Sequence, residues 1–367
     1  MSTQSPVIYR NPAAREWSTP RTADTLAFHE SLPGYAVTPL VELPELATEL
    51  GVGRVFVKVE ASRMGLPAFK ILGASYAIAR AFAQRHGESD VVSPDAVRAL
   101  LNTEPPLEFV AATDGNHGRA VARVAAMLGM SARIFTPADI SAAAKEAIEH
   151  EGAVRIELDA PYDDVVTAAA RDADARGALI IQDTSWEGYE QVPQWIVDGY
   201  STLLAEADAQ LSAAGVARLD AVAVPVGVGS LAQAVVTHYR SHPDAPSVVS
   251  VEPEAAPAIL ASLQAGRAVS VSTRPTIMAG LNCGTPTELG WPTLLAGLDT
   301  AVAVSDEDAA RAVHDLERLG VDSGPCGAAT LAGMRALASV DPLLAGSTVL
   351  LLSTEGRAAN PLPTRFA

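Results

Sequence analysis

From about residue 35 onward, short apolar runs alternate with longer alanine-rich stretches in which polar residues recur at helical spacing. The runs Val55–Val59, Phe109–Thr113, Ala132–Phe135, Val154–Leu158, Leu179–Gln182, Ala221–Val226, Val248–Val251 and Val349–Leu352 are short and nearly all apolar. That is the pattern of strands covered on both faces. Helices are predicted over Ala74–Arg85, Arg119–Leu128, Ala142–Glu149, Asp163–Asp174 and Gln194–Leu211. Ser305 and Asp308 read as a capping box opening a helix to Leu319, with Gly320 as its stop. Strand and helix in alternation predict an α/β protein with parallel sheets in three αβα layers. Four of the strands fall between residues 105 and 185. A small α/β domain over 77–189 is therefore expected inside a larger one built from 1–76 and 190–367, with a cleft between them.

Composition narrows the partners. The formal charge of -17 repels phosphate backbones and anionic lipid, so neither nucleic acid nor a membrane is expected as a partner. No apolar stretch approaches the roughly 20 residues that span a bilayer. The segment Met1–Trp17 is polar and lacks the apolar core of a signal peptide, which predicts a cytoplasmic protein. Cys283 and Cys326 have no CxxC spacing, so neither a disulfide framework nor a metal site is expected.

The chain holds only three lysines. Lys58 lies in the alternating strand Val55–Val59 and is expected to face solvent. Lys145 lies on a helical pattern with Glu146 and Glu149, a solvated face. Lys70 stands between Phe69 and Ile71, after the extended Arg63–Ala68 stretch and before a helix expected to begin near Gly73. A helix N-terminus and an apolar pocket both disfavour the ammonium form, which suits an amine that attacks a carbonyl. A snorkelling lysine at the edge of the core explains Lys70 equally well when it is taken alone.

Four further segments sit where parallel strands end, the place where α/β folds hold ligands. Thr113-Asp114-Gly115-Asn116-His117-Gly118 is more polar than a helix cap requires. Its N–H groups could hold a carboxylate. Gly227-Val228-Gly229-Ser230 could close its backbone on a phosphate. Asp183, and Ser353-Thr354-Glu355-Gly356, put polar groups at two more strand ends. The Gly227 loop is ambiguous: Gly227, Gly229 and Ala232 also fit a dinucleotide fingerprint, with Glu252 at a suitable distance for a ribose. An NAD-dependent oxidoreductase is thus the competing reading. It leaves Lys70 and the Asp114 loop unexplained.

Together the segments resemble the pyridoxal-phosphate (PLP) enzymes of fold type II, the tryptophan-synthase-β fold, and among them the diaminopropionate ammonia-lyases. The resemblance runs from about Pro39 to Gly356. It is carried by Gly65-Leu66, Ala68-Phe69-Lys70, Leu72-Gly73, Thr113–Arg119, Tyr162-Asp163-Asp164, Gln182-Asp183-Thr184, Trp186–Tyr189, Thr276–Leu281, Cys283-Gly284 and Ser353–Gly356.

The resemblance implies two domains with the active site in the cleft between them. It implies PLP held by Lys70, with Phe69 beside the ring and Asn116 at the ring hydroxyl. Gly227, Val228, Gly229 and Ser230 would cup the phosphate, and Ser353 or Thr354 would face the pyridine nitrogen. Lys70, Asp114 and Asp183 would be catalytic. Thr113, Asp114, Gly115, His117 and Asp183 would bind the substrate. The implied reaction is α,β-elimination, with 2,3-diaminopropionate going to pyruvate and ammonia. A lyase, dehydratase or β-replacement enzyme for another β-substituted amino acid would use the same chemistry. A homodimer is implied by analogy.

Some positions depart from the family pattern. Met64, Pro67 and Ala74 replace an aromatic residue, asparagine and glycine around Lys70. Pro325-Cys326 replaces Glu-Ser, and Arg357 stands where an aspartate is usual. Loss of acidic groups and a new arginine near the pocket would weaken a preference for a dicationic substrate.

Overall fold

The structure, a computed structural model, describes residues 7–20, 24–87, 107–340 and 345–366. The described strands are β1 (Ile8–Arg10), β2 (Leu40–Glu42), β3 (Arg54–Val59), β4 (Glu108–Ala112), β5 (Ser131–Pro137) and β6 (Val154–Leu158). They continue with β7 (Leu179–Ile180), β8 (Ala221–Pro225), β9 (Ser247–Pro253), β10 (Thr300–Val304) and β11 (Thr348–Ser353). The chain divides into two compact units. One comprises Met1–Ala23, Val37–Ser62 and Leu203–Ala367; the other comprises Asp24–Ala36 and Arg63–Thr202.

The first unit holds a seven-stranded sheet in the order β1-β10-β9-β8-β11-β3-β2. Its five inner strands are parallel, and β1 and β2 close the two edges antiparallel. Val57, Val251, Val302 and Leu351 of the sheet bury against Ala328, Leu331 and Met334 of the helix Pro325–Val340. The second unit holds a four-stranded parallel sheet, β6-β5-β4-β7. Val110, Ala112 and Phe135 pack there against Val165, Val166 and Ala169 of the helix Tyr162–Arg176.

All eight expected strands are present, and β1, β2 and β10 are additional. β1 and β2 are three residues each, too short to show a period. β10 is an apolar Thr-Ala-Val-Ala-Val run that leads directly into the Ser305 cap, whose hydroxyl accepts from Asp308 N–H at 3.1 Å.

The one helix expected over Gln194–Leu211 is two, Gln191–Gly199 and Ser201–Ala213. A close approach explains the break. A Cβ at Gly199 would lie 2.6 Å from the Leu72 carbonyl oxygen, and one at Gly73 would lie 2.6 Å from the Tyr200 ring. Two bare glycines let the helix Ile71–Arg85 meet its neighbour backbone to backbone. That contact anchors the first turn after Lys70.

Lys58 corrects an expectation. Its side chain does not face solvent: it is fully buried. Helix Ser201–Ala213 covers that face of β3 and brings Glu206 and Gln210, one turn apart, onto the ammonium. Nζ donates to Glu206 Oε2 at 2.7 Å, Gln210 Oε1 at 2.8 Å and the Thr38 carbonyl at 2.8 Å. Removing one partner of a buried pair strands a charge, at a cost of about 3–5 kcal/mol. Glu206→Leu should therefore lower the denaturation midpoint sharply, and Lys58→Met/Glu206→Leu should recover most of the loss. Equal midpoints for wild type and the single variant would contradict the network.

Among the described residues no helix is long and apolar enough to cross a membrane. Among the described residues Cys283 and Cys326 form no disulfide.

Candidate active site

Lys70 is the N-cap of the helix Ile71–Arg85, which starts earlier than the sequence suggests. Its neighbours Ala68, Phe69, Ile71 and Leu72 are buried. The Phe69 ring packs on Tyr200 with centroids 4.7 Å apart, and Lys70 Nζ lies 5.5 Å and 6.0 Å from those two rings. Tyr200 was not legible as a neighbour of Lys70: it is distant in the chain and belongs to no motif. Lys70 Nζ donates to Asp183 Oδ2 at 2.6 Å, in a pair that is 23% and 8% exposed.

Asp183 lies just beyond β7, and His117 stands behind it. His117 Nε2 is 2.7 Å from the Ile181 carbonyl oxygen, so Nε2 carries the proton. Its Nδ1 has no hydrogen-bond partner and lies 3.8 Å from Asp183 Oδ2. Burial pushes His117 below the usual histidine range, so the ring is neutral. Burial alone would raise Asp183, but a proton on His117 and the Lys70 ammonium would together hold its carboxyl down to about 2. With His117 neutral, Lys70 is the cation that keeps Asp183 ionised.

Asp114 follows β4 in the same unit. Desolvation, then the charges of Asp183 and Asp139, push its carboxyl up to about 7, and Lys70 pulls the other way. A carboxyl in that range can take or give a proton at neutral pH. Thr113 Oγ1 accepts from the N–H groups of Gly115 at 2.9 Å and Gly118 at 3.0 Å, which ties the loop to itself. Asn116 opens the helix Asn116–Leu128. The second unit thus brings together Lys70, Asp183, His117 and Asp114.

The other expected residues belong to the first unit. Gly227, Val228 and Gly229 lead into the eleven-residue helix Ser230–Arg240. Gly229 has φ +109°, and a Cβ there would lie 2.7 Å from Leu294 Cδ1. Among the described residues the N–H groups of Val228 and Gly229 make no hydrogen bond. A turn stripped of side chains, with bare amides at a helix N-terminus, fits a phosphate. Ser353 ends β11, where its hydroxyl donates to Ser323 Oγ at 2.8 Å. Thr354 follows and is buried. These are neutral hydroxyls, suited to an unprotonated ring nitrogen.

One sequence reading is overturned. Glu252 does not await a ribose: its oxygens accept from Ile259 N–H and Leu260 N–H at 2.7 Å each. It caps the helix Ala258–Ala265, and burial pushes its carboxyl up to about 8. The dinucleotide reading loses its acidic partner. Arg357 is ion-paired: its Nε lies 3.1 Å from Asp322 Oδ1, and Nη1 pairs with Glu317. Both partners are about half exposed, so the pairs lie at the surface.

A glycine turn at a helix N-terminus, a lysine beside a carboxylate, and two α/β sheets fit a PLP-dependent enzyme. The family profile described as pyridoxal-phosphate dependent enzyme matches residues 32–355. The diaminopropionate ammonia-lyase of Salmonella typhimurium is 37% identical over 359 residues, covering 91% of this chain and 88% of its own. The holo diaminopropionate ammonia lyase of Escherichia coli superposes with a TM-score of 0.89 at 33% identity, covering 96% of this chain and 94% of that one. The same protein in complex with D-serine gives 0.87 at 33% identity, covering 96% and 95%. The chain belongs to the PLP-dependent enzymes of fold type II, as a lyase of the diaminopropionate ammonia-lyase family.

Proposed function

We propose that this protein converts 2,3-diaminopropionate and water into pyruvate and two molecules of ammonia. The observation that carries the reading is Lys70 paired with an ionised Asp183 while Asp114, in the same unit, titrates near neutrality. PLP, when bound, supplies the electron sink that makes the substrate's Cα proton removable. Lys70 would hold it, with Val228, Gly229 and Ser230 on the phosphate, Asn116 at the ring hydroxyl and Ser353 or Thr354 at the ring nitrogen.

Asp183, released from Lys70 when that amine is engaged, offers a fixed negative charge to the substrate's second ammonium. The Lys70 amine removes the Cα proton of one enantiomer, and ionised Asp114 removes that of the other. The β-amino group departs as ammonia, and water hydrolyses the released enamine to pyruvate and the second ammonia. Pairing with Asp322 and Glu317 offsets part of the Arg357 charge, which lessens its opposition to a dicationic substrate.

The test is pyruvate and ammonia release from D- and L-diaminopropionate, serine, threonine and β-chloroalanine, compared by kcat/KM. Diaminopropionate should lead. A higher value for serine or β-chloroalanine would move the assignment to an enzyme for a neutral or anionic leaving group.

A further inference from the structure

The ladder between β4 and β7 stops after two residue pairs, just where Asp183 must turn towards Lys70. Side chains replace it. The Tyr189 hydroxyl accepts from Gln182 N–H at 2.9 Å and donates to the Ile180 carbonyl at 2.8 Å. His117 holds the Ile181 carbonyl. Gln182 itself is fully buried, and its amide reaches both carboxylate-bearing segments. Oε1 accepts from Ala112 N–H at 2.9 Å, at the end of β4 before Thr113 and Asp114. Nε2 donates to Tyr162 Oη at 3.0 Å and to Asp183 Oδ1 at 3.4 Å. The amide cannot be turned round, because Ala112 N–H needs an acceptor and a carboxylate needs a donor.

We propose that Gln182 is a positioning residue that sets Asp183 against the Asp114 loop, one end of its amide clamping β4 and the other donating to Asp183. This inference rests on the roles given above to Lys70, Asp114 and Asp183. It adds a residue that touches neither substrate nor cofactor. Because the donor end faces a carboxylate, the isosteric Gln182→Glu is a pH-dependent probe. Protonated, the glutamic acid still accepts from Ala112 N–H and donates to Asp183. Ionised, it sets two carboxylates against each other, which raises the pKa of the proton they share.

Two measurements on Q182E test this. In the cofactor-free protein, the melting temperature of Q182E should fall progressively below that of wild type as pH rises from 5 to 9. A carboxyl raised in the folded state favours folding below its unfolded pKa and loses that contribution as it ionises. In the PLP-loaded enzyme, the ratio of kcat/KM between Q182E and wild type should be near one at pH 6. It should fall at least about tenfold by pH 9, carried by kcat. A buried residue that only packs would leave the activity ratio flat, and a flat ratio with a folded variant overturns the proposal. If Q182E does not fold, Gln182→Met carries the test, with kcat reduced at least about tenfold at every pH. Unchanged kcat in Gln182→Met overturns it too. The activity ratio is taken with whichever β-substituted amino acid wild type turns over fastest, so an error in the substrate does not pass for an error about Gln182.

Discussion

Lys70→Ala should give a folded protein with no visible cofactor band that borohydride can fix, and with lyase turnover reduced on the order of 10^3-fold or more. Wild type loaded with PLP should be yellow, lose its band on borohydride treatment, and carry the adduct on Lys70. The assignment is unusually clean because only two other lysines exist. Lys58 is fully buried in its ion pair, and Lys145 Nζ is held 2.8 Å from Glu157 and 2.7 Å from the Ala138 carbonyl. Lys70→Arg separates charge from chemistry. A guanidinium can still pair with Asp183, but it does not shed its proton to become a nucleophile. It should preserve stability and lack the band. In Lys70→Ala, by contrast, Asp183 loses its cation and its carboxyl should climb. A borohydride-sensitive band surviving in either variant would place the cofactor elsewhere.

Asp114→Asn should keep the cofactor band and lose turnover of one enantiomer, expected to be D-diaminopropionate, by about 10^2- to 10^4-fold. The other enantiomer, if the Lys70 amine is its base as proposed, should change by only a few fold. A base acts when ionised, and desolvation with the charges of Asp183 and Asp139 holds Asp114 at about 7. Wild-type kcat/KM on the D-isomer should therefore rise with pH through about 7 and then level off. The limb should be absent in Asp114→Asn. D-isomer kinetics that are the same in both proteins, across that pH range, would remove Asp114 as the base.

Most of the fold was legible because buried parallel strands advertise themselves as short apolar runs, and β3, β4, β8 and β11 stand at the expected places. The candidate segments at strand ends stood out because each is a loop directly after such a run. Errors came where a partner lies far away in the chain. Alternation alone put Lys58 in solvent, since nothing local shows that Glu206 and Gln210 cover it. Spacing alone let Glu252 serve a ribose, since nothing local shows two helix amides on its oxygens. The break at Tyr200 stayed hidden because it answers to Gly73, on another helix.

The order of residues by itself marked the candidates for the proposed chemistry: one lysine in an apolar setting, a glycine turn suited to phosphate, and acidic loops at strand ends. Those are local properties, fixed by side-chain type and nearest neighbours. Only the tertiary structure decided which groups are charged and which are held. An ionised Asp183, Asp114 near 7, a neutral His117 and the hydrogen bonds of Gln182 all depend on distances between segments that the chain separates. Burial and Coulomb interactions act through space, and a linear sequence does not contain those distances.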